Sequence, residues 1–179
     1  MLGRLSLTGA DGREAPTLLG QPRRFALLAY LAAATPRGFH RRDSLLALFW
    51  PELDQEHART ALRQALRVLR VALGSGAVAS RGDEEVGLDF EQVWSDVAAF
   101  ERVSDAGQAL ESMDLYRGPL LEGFFISDAP EFERWLENER ARLRDRASGG
   151  AGPGRAVRVA GQSHDGRALG PASRQARAE

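Results

Sequence analysis

Apolar positions along the chain change period several times, and each change marks an element. Residues 2–7, Leu-Gly-Arg-Leu-Ser-Leu, alternate loosely and predict a strand. Asp11-Gly12 predicts a turn, and residues 13–19 a second short strand with Pro16 at an edge. A helix is expected over residues 22–34. Pro22 suits a first helical position, and the run 25–34 is apolar on nearly every face, so this helix belongs in a core. A shorter helix is expected over residues 43–50, with Asp43 as N-cap and Pro51 as stop.

The next segment carries two interleaved patterns. Leu62, Leu66, Leu69 and Leu73 recur at i, i+4, i+7 and i+11, a narrow stripe that must face a core. Arg59, Arg63, Arg67 and Arg70 recur at i, i+4, i+8 and i+11, also a helical spacing. At 100° per residue their mean direction lies roughly 90° from the leucines. The expected helix, about 54–74, therefore has a buried leucine row and an exposed arginine row beside it. Asp54 is its expected N-cap, Glu56 suits the first turn, and Gly74 suits the C-terminal end.

Two short strands are expected over residues 77–81 and 85–90, joined by Gly82-Asp83-Glu84. A long helix followed by a hairpin is the order of a helix-turn-helix with a wing. Beyond Phe90 the pattern turns helical. Helices are expected from Ser95-Asp96 to residue 103, over 105–116, and from Asp128-Ala129-Pro130-Glu131 onward, where a cap residue, a proline and an early acid coincide. Phe132, Trp135, Leu136 and Leu143 give the last helix a buried side. From Ser148 the composition shifts to Gly, Ala, Arg, Ser and Pro, and residues 148–179 are expected to be a disordered tail.

Charge sharpens this division. Residues 1–90 hold 12 Arg against 10 acids, residues 91–147 hold 7 against 13, and residues 148–179 hold 5 against 2. A mildly basic head can face phosphate, whereas an acidic middle should avoid it. Every basic residue is Arg. Arg recognises phosphate and guanine edges through its fork, but the same usage follows from codon bias in a GC-rich genome. Cysteine is absent, which excludes disulfides, thiolate zinc sites and cysteine nucleophiles. No apolar run nears the roughly 18 residues of a membrane span, and the N-terminus does not read as a signal peptide. A cytoplasmic location and no membrane contact are expected. His40, His57 and His164 have no metal-ligand spacing, and the glycines of 149–154 lack the Lys-Ser/Thr of a phosphate loop. No residue set nominates a reaction or a cofactor, so a non-enzyme is expected.

Three stretches of the head and two behind it resemble the Streptomyces antibiotic regulatory protein (SARP) family. In the head they are Arg-Arg-Phe-Ala-Leu-Leu-Ala-Tyr-Leu (23–31), Leu-Leu-Ala-Leu-Phe-Trp-Pro (45–51) and Ala-Arg-Thr-Ala-Leu-Arg-Gln-Ala-Leu (58–66). Behind it, Leu-Tyr-Arg-Gly-Pro-Leu-Leu-Glu-Gly-Phe (115–124) and Glu-Phe-Glu-Arg-Trp-Leu-Glu (131–137) are similar to the start of that family's bacterial transcriptional activation domain. The resemblance covers about residues 2–147. It implies an α+β fold: an OmpR-type winged helix-turn-helix head over 1–92, with three helices, N-terminal strands and a wing hairpin. All-α helices related to tetratricopeptide repeats would follow over 93–147, the start of an incomplete activation domain. The implied partners are double-stranded promoter DNA, RNA polymerase and a second copy on direct repeats. The departure from the family is large, because most of the activation domain has no counterpart here.

A recognition helix needs long polar donors on its exposed face. Arg59, Thr60, Arg63 and Arg67 are the expected base and phosphate readers, with Gln64 turned away from the row at ideal helical angles. Arg70, nearer the helix exit, suits a phosphate. Arg81 in the hairpin and Arg41 and Arg42 before the short helix suit phosphate as well. Each of these arginines also fits a solvated face paired with acids, and Asp83 to Glu85 would repel DNA. Phe49 and Trp50 read as core. Tyr116, Phe124, Phe125, Phe132 and Trp135 fit either a core or an interface that lacks its partner. The competing reading is a protein-interaction module working through the acidic helices, with a head that no longer binds DNA.

Overall fold

The computed structural model describes residues 1–3, 6–9, 12, 14 and 20–149. Among these residues six helices and three strands follow in the order α1 (Pro22–Ala33), β1 (His40–Arg41), α2 (Arg42–Phe49), α3 (Gln55–Leu73), β2 (Val78–Arg81), β3 (Glu85–Leu88), α4 (Asp96–Asp105), α5 (Ala109–Leu115) and α6 (Pro130–Ala147). The strands form one antiparallel sheet in the order β1-β3-β2, with His40 opposite Val86 and Ser80 opposite Val86 from the other side. The fold is thus mixed α+β, with the sheet small and the helices dominant. Among the described residues no helix is long and apolar enough to cross a membrane.

The all-apolar segment of α1 sits where its pattern requires. Phe25 to Ala29 and Leu31 to Ala33 are buried on every side of the helix. On one side it meets α3 through Leu62, Leu66 and Leu69, and these residues share one continuous cluster with Phe49, Phe100, Phe132, Leu136 and Leu143. The last helix therefore contributes to the core around α1 and α2. Tyr30 and Trp135 have ring centroids 4.7 Å apart, and Phe49 and Phe132 5.2 Å apart. Of the five aromatics left open between core and interface, Phe132 is buried, Tyr116, Phe124 and Trp135 are half-buried, and Phe125 is exposed.

Several element starts differ from the sequence expectation. Asp43 does not cap α2, because the helix begins one residue earlier with Arg41 at the cap position and no side-chain cap bond. The Arg42 N–H is taken instead by the Glu84 carbonyl at 2.8 Å, so strand pairing fixes this helix start. The helix expected over 105–116 is shortened to Ala109–Leu115, since Gly107 adopts φ 74° and breaks the path from α4. Asp128 does not cap α6 either. It adopts φ 61°, and Ala129 takes the cap position. The Ile126 N–H donates to the Glu133 carboxylate at 2.9 Å, which gives the entering chain another anchor.

Of the strand expected over 2–7, residues 4 and 5 lie outside the described residues, and Leu2 instead makes an isolated bridge to Leu120. Thr8 bridges Glu14; most of the second expected strand, 13–19, also lies outside the described residues, as does the tail from 150. Gly3 has to be glycine, since a Cβ there would sit 2.9 Å from the Arg117 carbonyl oxygen. That close approach ties the N-terminus to the loop before α6.

Candidate functional site

α3 is built as two faces. Asp54 caps it, accepting from the Glu56 and His57 N–H groups at 3.1 and 3.0 Å. Ala58, Leu62, Ala65, Leu66 and Leu69 are buried, whereas Arg59, Arg63, Gln64 and Arg67 are exposed and Thr60 is half-buried. From the centre of the buried row, ideal helical angles place Arg59 at roughly 80°, Arg63 at roughly 120° and Arg67 at roughly 160°. Gln64 falls on the other flank and does not join them.

Two further elements bring charge to this flank. Arg41 and Arg42 stand where β1 passes into α2, and the β2–β3 turn comes up beside them. Arg41, Arg42, Arg59 and Arg63 line one cleft of about 470 Å³ together with Asp43, Asp83 and Glu84. Four guanidinium groups against three carboxylates leave its lining at a formal net charge of +1. The ion pairs inside are loose: Arg59 to Asp43 is 3.9 Å and Arg41 to Glu84 is 3.5 Å. Arg63 donates to the Thr60 hydroxyl at 2.9 Å, which steadies its guanidinium at the outer rim.

Four expected contacts lie elsewhere or are engaged. Arg70 donates from Nε to the Val78 carbonyl at 3.1 Å and from Nη2 to the Ser80 hydroxyl at 3.0 Å, bracing α3 against β2. Arg42 donates to the same Ser80 oxygen at 3.1 Å, so one hydroxyl joins α2, β2 and α3. Arg81 lies outside the cleft, 4.2 Å from the Phe39 ring centroid and 3.5 Å from Glu85. Arg67 continues the α3 row beyond the cleft. Ser80 and Asp43 had no place among the expected site residues, because neither sits in a periodic pattern; the hairpin and the β1–α2 junction bring them in.

Apart from this cleft, α4 and α6 share a buried ionic network. Glu101 on α4 is 5% exposed and pairs with Arg37 and Arg142, and Arg142 also pairs with the buried Glu139. Burial alone pushes the Arg142 pKa down, and its bonds to Glu139 and Glu101 more than reverse this, so it is raised. On the helix cap, the His57 N–H and imidazole hold Asp54 below its ordinary pKa. Burial lowers His40, whose ring packs edge-on to Tyr30 at 5.2 Å. Among the described residues no cluster of metal-ligating side chains occurs. The sequence matches no known protein-family model and no curated protein.

Proposed function

We propose that the chain is a DNA-binding transcriptional regulator. Its head is read as a winged helix-turn-helix in which α3 enters the major groove and the β2–β3 hairpin is the wing. The observation that carries this reading is the exposed row Arg59, Arg63 and Arg67 over the buried leucines of α3, with Arg41 and Arg42 alongside. A major groove is about one helix wide, and a forked guanidinium matches guanine N7 and O6 or a phosphate. Arg59, Thr60, Arg63 and Arg67 are the proposed base and phosphate readers, and Arg41 and Arg42 the proposed phosphate contacts. Gln64, on the other flank, Arg70, engaged with β2, and Arg81, outside the cleft, are left in subordinate places on this reading. The resemblance to SARP regulators supports the same assignment and adds promoter DNA, a second copy on direct repeats and RNA polymerase as partners. α4 to α6 correspond on this reading to the start of the activation domain.

The test is fluorescence anisotropy of the full chain on duplexes from upstream of its own and neighbouring genes, at two salt concentrations. Binding to one duplex that survives the higher salt supports the reading. Weak binding to every duplex that vanishes in salt would overturn it.

One observation favours a second reading, a protein-interaction module. α5 turns Leu110 and Met113 to solvent at 83% and 64% exposure, within the segment 91–147 that carries the acid excess. Retention of RNA polymerase by the full chain, lost in Leu110→Ser/Met113→Ser, together with no DNA affinity, would favour it.

A further inference from the structure

We infer that Asp43 and Glu84 are built-in competitors of DNA phosphate, holding Arg59 and Arg41 in the free protein and so limiting affinity for duplexes at large. The inference rests on the DNA-binding reading above. Both acids lie in the cleft with the arginines they face, one from the first turn of α2 and one from the hairpin turn. Their pairs are 3.9 and 3.5 Å long, beyond direct hydrogen-bond length, and every member is more than half exposed. Exposed pairs of this kind add little to folding stability. Among the described residues neither carboxylate accepts a hydrogen bond from another side chain or from the backbone, so neither is tied into the fold.

A carboxylate oxygen beside a guanidinium occupies the place a phosphate oxygen would take, with the same sign of charge. Phosphate approaching Arg59 or Arg41 must therefore displace the acid and then tolerate it nearby. A paired arginine also contributes less counterion release on binding, because its own acid already neutralises it. Asp83 adds to the repulsion from the same turn, which gives the acidic hairpin tip a role in place of a contact. Genomic DNA offers a vast excess of non-specific sites, so holding down phosphate-only affinity leaves more protein free for its own site.

The experiment compares the unaltered full chain, Asp43→Asn/Glu84→Gln, and the control Glu111→Gln/Asp114→Asn on a random-sequence duplex across a salt series. The control makes the same charge change on α5. The cleft variant is expected to bind on the order of five-fold tighter, with a log-log salt slope steeper by about 1 to 2, and the control to change little. The single variants Asp43→Asn and Glu84→Gln should each give part of the effect. No tightening in the cleft variant, while the unaltered chain binds DNA, overturns the inference and leaves the DNA-binding reading standing. Equal tightening in the control assigns the effect to net charge and overturns it too. No binding of any duplex by any of the three chains would remove both.

Discussion

Arg63 and Arg70 lie two helical turns apart on the same flank of α3, and their neighbours separate them. Among the described residues Arg63 hydrogen-bonds only Thr60, one turn back on its own helix. Its truncation to Ala should leave thermal unfolding nearly unchanged and weaken binding to a target duplex by about 1 to 3 kcal/mol, read by anisotropy. Arg70 binds a carbonyl and a hydroxyl of β2. Arg70→Ala should instead lower stability to urea by about 1 to 2 kcal/mol, with duplex affinity affected less than in Arg63→Ala. The reverse assignment of effects would show that Arg70 is the contact and Arg63 the bystander. The i, i+4 spacing made the arginine face of α3 legible in the sequence. What it could not reveal is which guanidinium groups are already engaged, since Ser80 and Val78 are set by strand register and carry no helical period.

Among the elements, the ones written strongly in local chemistry appear where the pattern puts them. α1 has its proline start and all-apolar body, α3 its Asp54 cap and Gly74 end, and the hairpin its Gly82-Asp83-Glu84 turn. The helix starts that depart from the local pattern are those decided at a distance. α2 begins where β1 pairs with β3, and α6 begins after Asp128 has turned to positive φ, with Glu133 holding the Ile126 amide. A capping motif read from four residues cannot anticipate either. The Asp54 cap yields a prediction with a definite sign in pH. Its folded pKa is lowered from the ordinary 3.8, so its contribution is fully present above that value and is lost as pH falls through the lowered folded value. Asp54→Ala should lower Tm near neutral pH, and the gap from the unaltered chain should close in that acid range. A Tm gap that stays constant down to the lowest pH would mean the carboxylate charge is not what holds the α3 start.

At the scale of the whole molecule, two features join α6 and α4 to the helices before them. One is apolar: Phe132 and Trp135 pack on Phe49 and Tyr30 in a core shared with α1 and α3. The other is ionic. Glu101 accepts from Arg37 in the segment after α1 and from Arg142 on α6, so a single carboxylate holds three elements together. Removing one member of a buried network leaves the others charged and unmatched, which costs more than the pair itself contributes. Glu101→Gln preserves size and removes the charge, taking from Arg37 the carboxylate it pairs with and leaving Arg142 with Glu139. Both arginine side chains keep about 30% of their surface exposed, at 28% and 32%, and this water softens the loss. A decrease of about 2 to 3 kcal/mol in urea unfolding is expected, below the full figure for an entirely buried pair. The shared core further requires that the parts unfold together. Fluorescence from Trp50, which packs against Phe49, and from Trp135 on α6 should follow the same transition as far-UV circular dichroism, in Glu101→Gln as in the unaltered chain. An early transition of α6 alone in the variant would mean that the network, and not the aromatic core, is what keeps the last helix in place.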